Sequence, residues 1–185
     1  WRPTAPHQLF WVEALDGGDP VAKAAHRDRL MSLSAPFSED PREVFRAEHR
    51  IEPWKNAWGE SGGMLMLSQQ ERIRRWRYVW LLDVDKNTSR LLYDLDEDDR
   101  YGDPGVPLFR PLANGRYVLH QKGDAVYFRG SGATDQGDRP FLDLRRLDSG
   151  RTERLFRCDP KRYEYFVAFA GDEDRFIMQS ESVRE

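Results

Sequence analysis

The chain has 185 residues, of which 33% are charged and 12% aromatic, and its 29 basic and 32 acidic residues leave a net charge of -3. That length allows one domain with a real core, and six Trp argue against compositional disorder. Interspersed signs leave no nucleic-acid footprint, no run of 18 apolar residues offers a membrane span, and the single Cys158 allows neither an internal disulfide nor Cys/His metal spacing.

From the N-terminus, Trp1 follows neither a Met nor a signal-peptide pattern. At the other end, Ser180 to Glu185 run directly out of the strand-like Phe176-Ile177-Met178, so both ends read as cut. A strand motif recurs as Leu9-Phe10-Trp11-Val12, Met64-Leu65-Met66-Leu67, Tyr117-Val118-Leu119 and Phe176-Ile177-Met178. Gly63, Gly115 and Gly171 precede the last three, and Gln69, Gln121 and Gln179 follow them. Taking Met66, Leu119 and Ile177 as equivalents gives spacings of 53 and 58 residues. A second motif mixes charge with Leu or Phe, in Glu43-Val44-Phe45-Arg46, Arg90-Leu91-Leu92-Tyr93 and Glu153-Arg154-Leu155-Phe156. Polar turns such as Asp83 to Asn87 and Leu147 to Gly150 punctuate the strands.

The segment Pro20 to Leu30 reads either as one helical turn or as a loop at a strand edge. Between Gln69 and Leu82, Ile73, Trp76 and Trp80 stand at helical spacing, yet Trp76, Tyr78, Trp80 and Leu82 also alternate. The β-branched and aromatic content favours strands there, with a hairpin bend near Glu71 to Arg75. Repeating units of about four strands every 50–60 residues predict an all-β fold, a partial β-propeller of about three to four blades. The expected blades are 1–50, 51–106, 107–160 and a partial 161–185; a β-sandwich is the competing architecture. Open strand edges in such a piece invite self-association.

Motifs that could carry chemistry are weak. Asp83-x-Asp85-x-Asn87 starts like a calcium loop, but Thr88 and Asp94 stand where Gly and Glu are required, so a strand-ending turn explains it. The acidic run Asp94 to Asp99 reads as a solvated loop between blades. Gly130-Ser131-Gly132-Ala133-Thr134 lacks the Lys-Ser/Thr of a phosphate loop, and no G-x-S-x-G nucleophile elbow occurs. His7, His26, His49 and His120 are scattered, with no Ser-His-carboxylate set in view. Cys158 reads as a small buried residue. No catalytic residue, metal or cofactor is expected. The densest basic run is Arg72, Arg74, Arg75 and Arg77, which suits a solvated strand face or a ligand.

Two stretches carry a family resemblance. Trp1-Arg2-Pro3 with Leu9 to Asp19, and more specifically Gly130 to Leu144, resemble the prolyl oligopeptidase family of serine peptidases, in its glutamyl endopeptidase branch. The resemblance implies an N-terminal propeller that gates peptide entry to a separate α/β-hydrolase domain, with cleavage after glutamate. That hydrolase domain is not in this chain, and no triad residue maps onto it. Arg72, Arg74 and Arg75, near a predicted bend, are then candidates to pair with a substrate glutamate. A stand-alone protein-binding propeller is the alternative. A periplasmic or secreted location is favoured over a cytoplasmic one.

Overall fold

A computed structural model describes residues 1–171 and 175–181; of the Ser180 to Glu185 end expected to be cut, residues 182–185 lie outside them. The described residues form two compact units, Trp1–Glu97 with Arg110–Leu119, and Asp98–Phe109 with His120–Glu185.

In the first unit, β1 (Gln8–Ala14), β2 (Asp28–Ser34) and β3 (Arg42–Ala47) form an antiparallel meander. Val12 lies opposite Leu30, and Leu30 opposite Phe45. Residues 20–27 form turns and bends, which settles the ambiguous Pro20 to Leu30 segment as a loop running into β2. A second sheet follows from β4 (Arg50–Ile51), a single 3₁₀ turn (Pro53–Lys55), β5 (Ala57–Trp58), β6 (Met64–Glu71), β7 (Trp76–Asp83) and β8 (Thr88–Asp96). β4 and β5 share one edge of β6, and β6, β7 and β8 continue as a meander. The alternating Trp76, Tyr78, Trp80 and Leu82 decide for strand over helix, because alternation puts one set of rings on one face. Leu67 pairs with Trp80, and Glu71 with Trp76, leaving Arg72 to Arg75 as the bend. Arg75 takes φ +56 and Asn87 φ +55; Asn tolerates that region better than most residues. The Asp83 carboxylate accepts the N–H groups of Asp85 and Lys86, so this motif is the strand-ending turn it resembled.

Leu30, Ala47, Ile51, Leu65, Leu67, Leu82 and Val84 form a buried cluster between these two sheets. Phe10, Val12 and Trp58 pack against it, with Phe10 and Trp58 edge to face at 4.8 Å. Each buried leucine contributes roughly 1.5–3 kcal/mol of transfer free energy. At the end of β2, Asp28 is 3% exposed. Its carboxylate accepts the Ile51 N–H at 2.7 Å and an Arg50 guanidinium N–H at 2.5 Å. Arg2, 6% exposed, forks onto Asp85 through bonds of 2.6 and 2.7 Å and ties the N-terminal segment to the β7–β8 turn.

The chain continues through β9 (Val106–Pro107), β10 (Phe109–Pro111), β11 (Tyr117–Leu119), β12 (Gln121–Lys122) and β13 (Ala125–Gly130). β14 (Ala133–Thr134) and β15 (Gly137–Asp138) pair as a small hairpin. Then come β16 (Phe141–Arg146), β17 (Thr152–Arg157), β18 (Tyr163–Phe169) and β19 (Phe176–Glu181). β13, β16 and β17 form a meander, and β9 and β12 share the free edge of β13. Val126, Tyr127, Phe128 and Leu142 are almost fully buried in the second unit. His120, Tyr127, Phe166 and Phe169 form a ring cluster with centroids 4.7–5.1 Å apart.

Among the described residues the chain is all-β apart from the 3₁₀ turn, and its meanders fit a partial β-propeller. The second recurring motif marks the closing strand of each meander: β3, β8 and β17. The first motif needs one correction. β6 occupies the place third from the closing strand, and there the second unit has β13 instead of Tyr117-Val118-Leu119, which is β11 and pairs with β10. Two apolar runs lie within ten residues of each other, and only pairing distinguishes them.

Asp28→Ala leaves Arg50 and the buried Ile51 N–H short of an acceptor, so unfolding by urea is expected to show a loss of about 3 kcal/mol. The exposed Arg162→Ala serves as the control and should leave the midpoint where it is.

Candidate functional site

The predicted bend opens onto a cleft of about 340 Å³ within the first unit. The end of β6 and the β6–β7 bend supply Gln70, Glu71, Arg72 and Ile73; the β1–β2 loop supplies Gly18 and Pro20; Arg27 and Arg50 complete the wall. Gly17 and Gly18 both take positive φ, +66 and +80, and turn the loop back so that Asp16 points inward. The Asp16 side chain is 0% exposed. It accepts Arg27 Nη1 at 2.7 Å, Arg50 Nη2 at 2.6 Å and the Gly18 N–H at 3.0 Å. Burial pushes the Asp16 carboxyl up, but the hydrogen bonds from Arg50, Gly18 and Arg27 outweigh it and hold it below its ordinary value. Arg50 Nη1 donates to Asp28 and to the Arg27 carbonyl.

Two of the three guanidinium groups in the cleft are therefore neutralised in place. Arg72 is different: it is exposed, and among the described residues its side chain makes no hydrogen bond or ion pair. Its companions from the basic run are engaged. Arg74 lies 4.0 Å from the centre of the Trp76 ring and 4.0 Å from the Glu71 carboxylate. Arg75 holds the bend through its carbonyl, which accepts the Glu97 N–H at 2.9 Å. Arg77 pairs with Glu97 and lies 3.6 Å from Glu52. Glu71 is itself occupied by the Tyr78 hydroxyl, at 3.3 Å, and by His49, at 3.9 Å. Ile73, 96% exposed, stands beside Arg72 as an apolar surface. A free guanidinium next to an apolar side chain, at the mouth of a cleft, can bind a carboxylate on a short aliphatic stem.

The remaining motifs have local roles. Asp85 is taken by Arg2, and Asp83 by Lys86. Within the acidic run, Glu97 accepts Gln70 Nε2 at 2.7 Å and Asp94 accepts the Trp76 indole N–H at 3.3 Å. Asp99 caps its own turn through the N–H groups of Tyr101 and Gly102. Among the described residues no cluster of three His, Cys, Asp or Glu could hold a metal ion. Gly132 takes φ +61 to turn the Gly130–Thr134 stretch into the β14–β15 hairpin. His49 stacks on Tyr78 at 4.9 Å. Cys158 is fully buried, and its sulfur accepts the Glu164 N–H at 3.2 Å.

Sequence reasoning reached the bend and its arginines. It missed Asp16, Asp28, Arg27 and Arg50, whose charges look solvated in a chain with so many. The available signal was Gly17-Gly18 directly after Asp16, which announces a tight turn beside a carboxylate.

No family model matches the chain. It is 32% identical over 182 residues to the rice (Oryza sativa subsp. japonica) protein named "Probable glutamyl endopeptidase, chloroplastic", covering 93% of this chain and 19% of that one. The Arabidopsis thaliana protein of the same name is 31% identical over 196 residues, covering 100% of this chain and 20% of that one. The chain thus spans about a fifth of the length of these curated relatives. The crystal structure of TolB from Acinetobacter baumannii aligns with 95% of this chain and 36% of its own, with a TM-score of 0.46 and 18% identity.

Because the folded-state value of Asp16 is lowered, its contribution is present above pH about 4 and is lost as pH falls through that lowered value. Urea midpoints measured from pH 7 down to pH 3 should therefore fall below pH about 4 in the parent chain. Asp16→Asn should be less stable at pH 7 and fall less steeply across that window. Parallel curves would remove Asp16 from the account.

Proposed function

We propose that this chain is a non-catalytic propeller segment of a peptidase that cleaves after glutamate, and that it shapes the entry of peptide substrates. The observation that carries this reading is the similarity of nearly the whole chain to two proteins named probable glutamyl endopeptidase. The residues quoted above for their resemblance to the prolyl oligopeptidase family are consistent with this reading, and that resemblance implies a Ser-Asp-His triad in a separate hydrolase domain. The meanders supply the rigid support that a gating element needs, with loops and bends free to contact peptide.

Within this reading Arg72 is the residue that contacts the substrate glutamate. A charged fork meeting a carboxylate discriminates Glu from its neutral isostere Gln, because Gln offers one oxygen and no charge. Arg74 and Arg75 act as positioning residues for the bend: the first stacks on Trp76, and the second supplies the carbonyl that anchors Glu97.

Steady-state kinetics on matched peptides with Glu or Gln before the cut bond provide the test, using the peptidase that carries this segment. Arg72→Ala should lower the Glu-over-Gln ratio of kcat/KM by at least about tenfold, with Gln turnover nearly unchanged. An unaltered ratio rejects Arg72 as the contact. Absence of any cleavage after glutamate in the parent rejects the function itself.

A further inference from the structure

The second unit contains a cleft of about 440 Å³ that no part of the reading above uses. Its charged wall residues are Arg129, at the end of β13, and Asp103, in the loop before β9. Opposite charges in one cleft usually pair, and these do not. Among the described residues, the Arg129 side chain makes one bond, a long one from Nη1 to the Phe166 carbonyl at 3.5 Å. Asp103 accepts the Gly105 N–H at 2.9 Å and, among the described residues, has no cationic partner. Both residues are exposed.

The rest of the wall is aromatic. Tyr163 and Tyr165, on β18, have ring centroids 5.9 Å apart with planes inclined at 58°. Phe141 of β16 closes the floor, and its ring leaves no room for a Cβ at Gly130. Gly105, at φ +81, likewise packs its Cα against the Arg129 backbone. The glycines fix the backbone that carries Asp103 and Arg129, so the two charges are held on preset supports.

We infer that this cleft binds the zwitterion of a short peptide bearing a large apolar side chain. Arg129 takes the terminal carboxylate through its fork, and Asp103 takes the terminal ammonium. The side chain lies against the Tyr163 and Tyr165 rings, where an aromatic group gains offset or edge contacts. The volume suits a ligand of two residues or so. This inference rests on the cleft alone and stands whether or not the parent cleaves peptides.

The probe is glycyl-phenylalanine in four forms, titrated into the chain by NMR: free, N-acetylated, C-amidated, and with glycine replacing phenylalanine. Shifts are expected at the Gly105 and Gly130 amides. Blocking either terminus should weaken binding by at least about tenfold, and losing the ring should weaken it as well. Arg129→Met should bind the free and amidated forms alike, whereas Arg129→Lys retains part of the difference. Asp103→Asn should bind the free and acetylated forms alike, and Arg151→Met should behave as the parent. Equal affinity for blocked and free peptides overturns the inference. So do shifts confined to other residues, or displacement by inorganic phosphate as effective as by peptide.

Discussion

The Asp28 carboxylate, buried where β2 begins, is the constraint on which the first unit depends. It takes the Ile51 N–H and an Arg50 N–H, so the start of the second sheet is fastened to the first before the apolar cluster is considered. Arg50 reaches on to Asp16, and Asp16 holds Arg27. Two buried carboxylates and two arginines thus form one chain of bonds. A network of this kind, with buried carboxylates and partly exposed guanidinium groups, is a weak source of net stability but a source of register, because each carboxylate left alone would carry a large desolvation cost. The leucine cluster supplies the driving force, and the ions fix which strand meets which.

That economy also explains the candidate site. Carboxylates in the first unit are largely spoken for: Asp16 and Asp28 by Arg50, Asp85 by Arg2, Glu97 by Gln70 and Arg77, Glu71 by its neighbours. An arginine left over in such surroundings is a group with unspent hydrogen bonds at a cleft. Arg72 holds that place in the first unit, and Arg129 holds it in the second. Both are exposed side chains lining clefts, on a scaffold built from meanders and their aromatic fillings.

Much of the fold was legible because strands announce themselves by alternation and turns by their chemistry. Trp76, Tyr78, Trp80 and Leu82 marked β7, Asp83 to Asn87 marked a turn, and the charge-and-leucine motif marked the closing strands. Pairing was less legible. Tyr117-Val118-Leu119 and Ala125-Val126-Tyr127-Phe128 are both short apolar runs, and local sequence does not say which of them joins the meander. The site was half legible. The bend could be located, but separating Arg72 from Arg74 and Arg75 depends on Trp76, Glu71 and Glu97, partners chosen by register. Buried carboxylates such as Asp16 look like any other surface charge until the turn that hides them is formed.

The most direct measurement of the proposed function is a structure of the whole protein that carries this chain, with a peptide bound whose residue at the proposed cleavage position is glutamate. The account places the glutamate carboxylate on the Arg72 guanidinium, with the aliphatic stem against Ile73. A glutamate carboxylate held by residues outside this chain, with Arg72 left in solvent, would contradict it.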